Sequence, residues 1–161
     1  FRIAWFKVHY PLEFYTVYFS VKAEEFDASI MTQSQTRIEQ MIEDLENKGN
    51  NLTQKEKGVL TLLEIVNKMY ARNIRFLPVD LYKSDARNFK IENGAIRPPL
   101  VSLPGLGLTA AQNIVNARKE KSFSSIEDLR IRSKASRTVI DILKEHGCLD
   151  ELPESSQLSL F

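Results

Sequence analysis

The chain has 161 residues, of which 43% are hydrophobic and 27% are charged, and its net charge is +1. This composition is typical of a globular protein, and it excludes a histone-like polycation while allowing a locally basic face. No stretch approaches the ~20 uninterrupted apolar residues of a membrane span, so we expect no membrane partner.

The first third of the chain is predicted to be helical. Apolar residues recur at helical intervals on both sides of Pro11, and a proline suits the first turn of a second helix. Capping boxes that begin at Thr36 and Thr53 predict two further helices, and we assign their apolar stripes to the core. The chain begins within an apolar pattern, without Met or a signal peptide, and is therefore interpreted as a fragment of a longer protein.

The pattern changes after Arg75, where the apolar runs become short and extended. Asn93 and Gly94 stand between two such runs, and this dipeptide favours a tight β-hairpin turn. We place a domain boundary near residue 77. The second domain then covers 78–150, and 151–161 is a tail without periodicity that we expect to be flexible.

Two helix-hairpin-helix segments are predicted between residues 100 and 149. In the first, Gly105 and Gly107 precede a helical pattern. In the second, a short turn over 133–136 precedes another helical pattern that ends near Gly147. The predicted fold is therefore mainly α: a helical segment, a short β-hairpin and a tandem helix-hairpin-helix module.

A glycine pair before a helix has a use in phosphate binding. Glycine lets the backbone approach a ligand closely, and the helix offers unpaired N–H groups and the positive end of its dipole. The alternative is that the glycines only make a tight turn. Residues 79–149 carry four more positive than negative side chains, which agrees with a polyanion as ligand. The candidate DNA-binding residues are Gly105, Leu106, Gly107, Thr109, Arg118, Lys134 and Arg137.

Several phrases together resemble the C-family bacterial replicative DNA polymerases, especially their PolC-type branch. Residues 4–14, Ala-Trp-Phe-Lys-Val-His-Tyr-Pro-Leu-Glu-Phe, resemble a segment of the fingers in that family. The phrases at 79–84, 103–107, 123–129 and 146–149 follow in the family's order. The resemblance covers essentially the whole chain as the C-terminal end of such a polymerase. It implies distal fingers at 1–77 and a duplex-binding module at 78–150, whose hairpins hold double-stranded DNA without reading its sequence.

The resemblance also implies what this chain lacks. The aspartates that hold two Mg²⁺ ions in the family lie in a palm domain outside it, so we expect no catalytic residue and no cofactor here, and no polymerisation by this chain alone. The single cysteine, Cys148, could gain only His9 and His146 as metal partners, and their distance in sequence leaves no predicted metal site. One cysteine also favours a reducing, cytoplasmic setting, and the resemblance implies a location at the replication fork.

Two further sites follow from the resemblance. Lys7 and His9 lie in the segment that approaches the incoming nucleotide, although a salt-bridged lysine and a histidine at a helix junction explain them equally well. The last five residues resemble the peptide by which bacterial polymerases bind the sliding clamp, the beta subunit. Its anchors are Gln157, Leu158, Leu160 and Phe161. The alternative is that these apolar residues pack onto the chain's own core.

Two other classes of protein compete with a polymerase fragment. One is a free-standing helix-hairpin-helix adaptor of DNA repair or recombination that carries its own clamp peptide. The other is a protein-interaction module whose hairpins only pack helices. The polymerase hypothesis names double-stranded DNA, the sliding clamp and the remainder of the polymerase chain as partners.

Overall fold

The computed structural model describes residues 2–155 and is mainly α-helical, as predicted. The helices are α1 (Arg2–His9), α2 (Pro11–Val21), α3 (Ala28–Met31), α4 (Gln35–Glu46), α5 (Gln54–Ala71), α6 (Leu108–Glu120), α7 (Ile126–Ser133) and α8 (Arg137–Glu145). The strands are β1 (Lys90–Glu92) and β2 (Ala95–Arg97), and single 3-10 turns occupy Gly49–Asn51 and Leu100–Ser102. Within this range, no helix combines the length and the apolar character needed to cross a bilayer.

One of the two predicted capping boxes is confirmed. At the start of α5, the Glu56 N–H donates to the Thr53 hydroxyl at 3.2 Å, and the Glu56 carboxylate accepts from the Thr53 N–H. The box predicted at Thr36 is wrong, because α4 begins earlier. Its cap is Ser34, whose hydroxyl accepts from the Arg37 N–H at 3.3 Å and whose backbone has the extended conformation of an N-cap.

Four phenylalanine rings join the helical first third to the rest of the chain. Phe19 and Phe26 pack against Phe76 and Phe89, and neighbouring ring centroids lie 4.9 to 6.4 Å apart. Aromatic pairs at such distances stabilise by about 0.5–1.5 kcal/mol beyond the burial of their area. The apolar core is therefore continuous across residue 77, and the division into two domains there stays a prediction.

The β-hairpin is confirmed at the predicted turn. Asn93 and Gly94 both have positive φ, 52° and 77°, which is the combination that a two-residue hairpin turn requires. At the end of the hairpin away from the turn, the buried Arg97 pairs with Glu92 at 2.5 Å and donates to the carbonyl oxygen of Pro78 at 2.7 Å. The hairpin is thereby fixed to the segment that leads into the second half of the chain.

Arg132 joins the end of α6 to α7. Its guanidinium donates to the carbonyl oxygens of Ala117 at 2.6 Å and Lys121 at 3.0 Å, and to the Asp128 carboxylate at 3.2 Å. It also lies over the Phe123 ring, 4.8 Å from its centroid. The last carbonyls of a helix have no partner within the helix. Arg132 therefore supplies hydrogen-bond donors at the end of α6.

We expect Arg132→Met to lower the free energy of unfolding by about 2–4 kcal/mol, because it leaves these carbonyl groups without their donor and leaves Asp128 with only the Ser124 N–H. Urea unfolding followed by circular dichroism measures the change. Arg130→Met is the matched control, since Arg130 is exposed on the same helix, and it should change stability by less than about 0.5 kcal/mol. Equal losses in the two variants would contradict the role of Arg132.

Cys148 follows α8 and is held against the segment between α5 and β1. Its thiol donates to the carbonyl oxygen of Val79 at 3.4 Å. Burial raises the pKa of this thiol to about 12, and the negative charges of Asp80 and Asp150 add to the shift. The folded chain therefore keeps Cys148 as a neutral thiol.

Alkylation of Cys148 should consequently be slow in the folded chain. At about pH 8 we expect iodoacetamide to react roughly 100-fold more slowly than with a free cysteine, because the scarcity of thiolate outweighs its greater nucleophilicity. Intact-mass spectrometry reports the rate directly, since the chain has one cysteine. The same reaction in concentrated urea is the control and should proceed at the free rate. A folded chain that reacts equally fast would contradict the burial of the thiol.

Candidate nucleic-acid interface

Two short hairpins precede α6 and α8. The first hairpin, residues 103–107, connects the 3-10 turn Leu100–Ser102 to α6, and the second hairpin, residues 133–136, connects α7 to α8. The first motif thus has only a single turn as its leading helix, whereas the second has two full helices. Both are present, and the tandem helix-hairpin-helix prediction is confirmed.

The two hairpins share one backbone course despite their different sequences. Gly105 and Lys134 occupy equivalent positions with φ of 87° and 56°, both in the left-handed region. Two residues later, Gly107 and Ser136 are the N-caps of the following helices, with φ and ψ of −74° and 164° against −71° and 163°. Ser136 is not among the site residues predicted from the sequence. An alignment of the two turns on Thr109 and Thr138, which follow them, pairs Ser136 with Gly107.

Each hairpin lies against the helix that follows the other hairpin. A Cβ atom built on Gly105 would come within 3.0 Å of the Ile142 side chain on α8. Lys134 in turn shares a small cleft with Asn113 and Asn116 of α6. This reciprocal packing fixes the two hairpins relative to each other.

The two glycines of the first hairpin are required for different reasons. Gly105 has a positive φ, and a Cβ there would press on the end of the Ile142 side chain at 3.0 Å, so the fold favours a glycine at this position. Gly107 has an ordinary negative φ, and a Cβ built on it meets no atom within 4 Å. The fold would accept another residue at 107, and with glycine there the backbone of the hairpin is open from outside.

The first hairpin presents an uncapped helix N-terminus. No side chain in the described part of the chain caps α6, whose first backbone bond runs from the Ala111 N–H to the Gly107 carbonyl at 3.0 Å. The N–H groups before Ala111 are therefore available, and together with the helix dipole they favour an anion. Thr109 is exposed in the same turn, whereas Leu106 is 2% exposed and anchors the hairpin in the core.

The second hairpin offers charged side chains instead of free N–H groups. The Ser136 hydroxyl accepts from the Val139 N–H at 3.2 Å and so occupies the N-terminus of α8. Lys134 and Arg137 flank this cap, and both are exposed. The two hairpins therefore present the same backbone shape with different means of attracting a phosphate.

Arg118 is used by the protein itself. Its guanidinium donates to the carbonyl oxygen of Leu81 at 2.9 Å, and Asp80 and Asp85 lie close enough to counter the effect of burial, which lowers the pKa of Arg118. This contact ties α6 to the segment before β1. A DNA contact by Arg118 stays a prediction that no geometry here supports.

Acidic residues line one side of the first hairpin. Glu24, Glu25 and Asp27 share a cleft of about 450 Å³ with residues 103–108, and Lys55 is the basic residue among them. The sequence gives no signal for this proximity, because more than 70 positions separate the acids from the hairpin. A polyanion is repelled from this side and is directed towards the side of the second hairpin.

Lys7 and His9 make separate contacts on α1. The Lys7 ammonium lies 5.7 Å from the centroid of the Phe14 ring, and Arg72 donates to the Lys7 carbonyl oxygen at 2.7 Å. Burial lowers the pKa of Lys7, and the positive charges of Lys68 and Arg72 lower it further. His9 stacks on Trp5 with ring centroids 4.4 Å apart. Lys7 thus belongs to a basic cluster with Lys68 and Arg72. The contact of His9 is with Trp5 and not with this cluster.

Residues 153 and 154, which follow α8, are attached to the start of α7. The N–H groups of Ile126 and Glu127 donate to the carbonyl oxygens of Pro153 and Glu154 at 2.8 and 3.1 Å, and Lys144 pairs with Glu154 at 3.0 Å. The predicted clamp anchors Gln157, Leu158, Leu160 and Phe161 lie outside the described residues. Among residues 2–155, no group of three or more His, Cys, Asp or Glu side chains is arranged to hold a metal ion.

Both halves of the chain are similar to known proteins. The model of a family described as "Helix-hairpin-helix motif" matches residues 73–158, more than half of the chain. The relatives include proteins named DNA polymerase III PolC-type from Clostridium perfringens (strain 13 / Type A), 53% identical over 99% of this chain, and Caldanaerobacter subterraneus subsp. tengcongensis, 52% identical over 100%. The Bacillus subtilis (strain 168) protein of the same name is 48% identical over 99%.

The shared segment is a small part of these relatives. The chain spans 11% of the Clostridium perfringens and Bacillus subtilis proteins and 12% of the Caldanaerobacter subterraneus protein. The similarity includes residues 1–72, which precede the family match and contain α1 to α5. The chain therefore belongs to the helix-hairpin-helix family, and along its whole length it is similar to one segment of PolC-type DNA polymerase III.

Proposed function

We propose that the chain is part of a PolC-type, DNA-directed DNA polymerase and supplies its grip on duplex DNA. The observation that carries this proposal is the 53% identity over 99% of the chain. A free-standing adaptor would need to resemble polymerases only within its hairpin module. The similarity of the preceding helices supports the polymerase instead.

The two hairpins grip the DNA backbone by complementary means. At the first hairpin, a phosphate oxygen accepts hydrogen bonds from the free N–H groups at the start of α6, and Gly107 leaves room for it. At the second hairpin, Lys134 and Arg137 supply positive charge. Such contacts address phosphates and not base edges, so binding is independent of sequence.

The chemistry of polymerisation would lie in the rest of the parent protein. The proposal assigns the catalytic aspartates and their Mg²⁺ ions, which assist phosphoryl transfer, to the larger part of the polymerase chain. This chain holds the duplex, and at the α1–α5 junction the basic cluster of Lys7, Lys68 and Arg72 suits the triphosphate of an incoming nucleotide. His9 is the second proposed nucleotide contact, through its exposed ring.

Gly107→Val tests the role of the first hairpin. The substitution fits the fold, because nothing lies within 4 Å of the added Cβ and the φ of −74° is ordinary. It places a branched side chain where a phosphate would sit, so we expect affinity for a short duplex to fall by about fivefold or more, the loss of one charge-assisted contact. Fluorescence anisotropy at low salt measures the change.

The control and the salt dependence complete this experiment. Gly58→Ala on α5 is the matched control, since a Cβ there also meets nothing within 4 Å and the site is outside both hairpins. If about two to four phosphates are contacted, log K should fall against log salt with a slope of roughly −2 to −4. Unchanged affinity of Gly107→Val would show that the first hairpin only turns the chain.

We further propose that the terminal residues bind a sliding clamp. Leu160 and Phe161 can fill an apolar pocket while the Gln157 side chain hydrogen-bonds at its rim, and Leu158 adds apolar contact. The carbonyl of Glu154 is held by α7, so only two residues, spanned by three Cα–Cα steps, separate the fixed chain from Gln157. Their covalent reach is about 10 Å, which would hold the clamp close to the hairpin module.

Phe161→Ala should weaken clamp binding by about 10- to 100-fold, because the ring offers the largest apolar area of the peptide. The measurement is a titration of purified sliding clamp with the peptide 154–161. Ser159→Ala is the control within the peptide and should cost little, since a solvent-facing hydroxyl between the anchors makes no apolar contact. Binding that is indifferent to Phe161→Ala would contradict the proposed anchor.

A further inference from the structure

The exposed apolar side chains of the described residues are concentrated at one end of the chain. Ten large hydrophobic residues are exposed between residues 2 and 155, and seven of them lie in α1, in α2 or between these two helices. They are Ile3, Trp5, Phe6, Val8, Tyr10, Val17 and Val21. Scattered single residues of this kind are normal, but a contiguous set marks an interaction surface.

Helix α1 depends on this surface for its stability. None of its eight residues is buried. Ile3, Trp5, Phe6 and Val8 spread over about 220° of its circumference at about 100° per residue. A helix of this length is not stable by itself, and one that is apolar on most sides is suited to a buried position. The structure therefore leaves α1 in need of a covering partner.

An apolar depression lies between α1 and α2. It has a volume of about 650 Å³, and its floor consists of aromatic and aliphatic side chains from both helices. Two exposed residues of α2, Val17 and Val21, form one wall, with exposed fractions of 61% and 76%. The charged residues that line it, Arg2 and Lys22, are both basic, and the exposed Lys22 ammonium lies 4.0 Å from the Glu25 carboxylate.

We propose that this α1–α2 groove docks an apolar helical segment with acidic flanks from the rest of the polymerase chain. The inference rests on the proposed function. The relatives devote only 11% to 12% of their length to the shared segment, so most of such a polymerase is available to cover it. Acidic flanks follow from the basic rim by charge complementarity.

A second copy of the chain fits this groove less well. In a two-fold symmetric dimer the same patch meets itself, so the basic rim residues of one copy would approach those of the other. One flat contact would also leave part of the apolar circumference of α1 exposed. A surrounding protein body covers both the groove and the outer side of α1.

Hydrogen exchange in the isolated chain and in an intact PolC-type polymerase tests the proposal. We expect the amides of α1 to exchange at least about tenfold more slowly in the intact polymerase, because covering the apolar sides of α1 stabilises the helix. Val17→Glu combined with Val21→Glu should remove this protection, since it places negative charges against an acidic partner. Ile131→Glu, at a site 62% exposed outside the groove, is the matched control and should leave the protection intact.

Other occupants of the groove give different results. Equal exchange of α1 in both proteins overturns the proposal. A stable dimer of the isolated chain in sedimentation also overturns it if Val17→Glu with Val21→Glu dissociates that dimer. Binding of the chain to anionic lipid vesicles overturns it as well. Duplex affinity of the isolated chain is measured in parallel. If the isolated chain does not bind duplex DNA, the proposed DNA grip is contradicted but the docking proposal is not. Protected α1 amides support the docking proposal whatever the DNA result.

Discussion

The last turn of α6 ends in carbonyl groups that the helix cannot pair, and one arginine from the next helix provides their donors. Arg132 binds two of these carbonyls and also holds Asp128, so the orientation of α7 relative to α6 depends on this side chain. Since α7 leads into the second hairpin and α8, the position of both follows from the same contact. The first hairpin then rests on Ile142 of α8, which closes the arrangement.

A rigid frame of this kind explains how two unlike sequences can present like hairpins. Gly105 and Lys134 both adopt positive φ, at the strain cost that a lysine incurs in that region and a glycine does not. Beyond this point the hairpins diverge, because the side chain of Ser136 caps its own helix whereas the N-cap Gly107 has no side chain to do so. The pair thus combines one site shaped by the backbone and one site based on side-chain charge.

Sequence patterns predicted those parts of the fold that local chemistry determines. The Asn93–Gly94 turn, the cap at Thr53 and both hairpins depend on residues within a few positions of one another, and all appear as expected. The failures involve choices among neighbours or contacts across the chain. Ser34 and Thr36 both carry a hydroxyl that can cap a helix, and the backbone conformation places Ser34 at the N-cap of α4. The partner of Arg118, a carbonyl 37 positions away, carries no sequence signal at all.

The distribution of charge around the hairpins bears on how firmly the module can hold DNA. Three acids and one base share the cleft of the first hairpin, whereas three acids and three bases share a cleft beside the second: Glu127, Asp141, Glu154, Arg130, Arg137 and Lys144. Carboxylates so close to the hairpins would reduce the attraction of a phosphate backbone, so the proposed grip on duplex DNA would be modest and would allow sliding. A polymerase that must advance after each nucleotide needs such a grip, and lasting attachment then has to come from elsewhere. The proposed clamp contact would supply it through effective concentration, without strengthening any contact to the DNA itself.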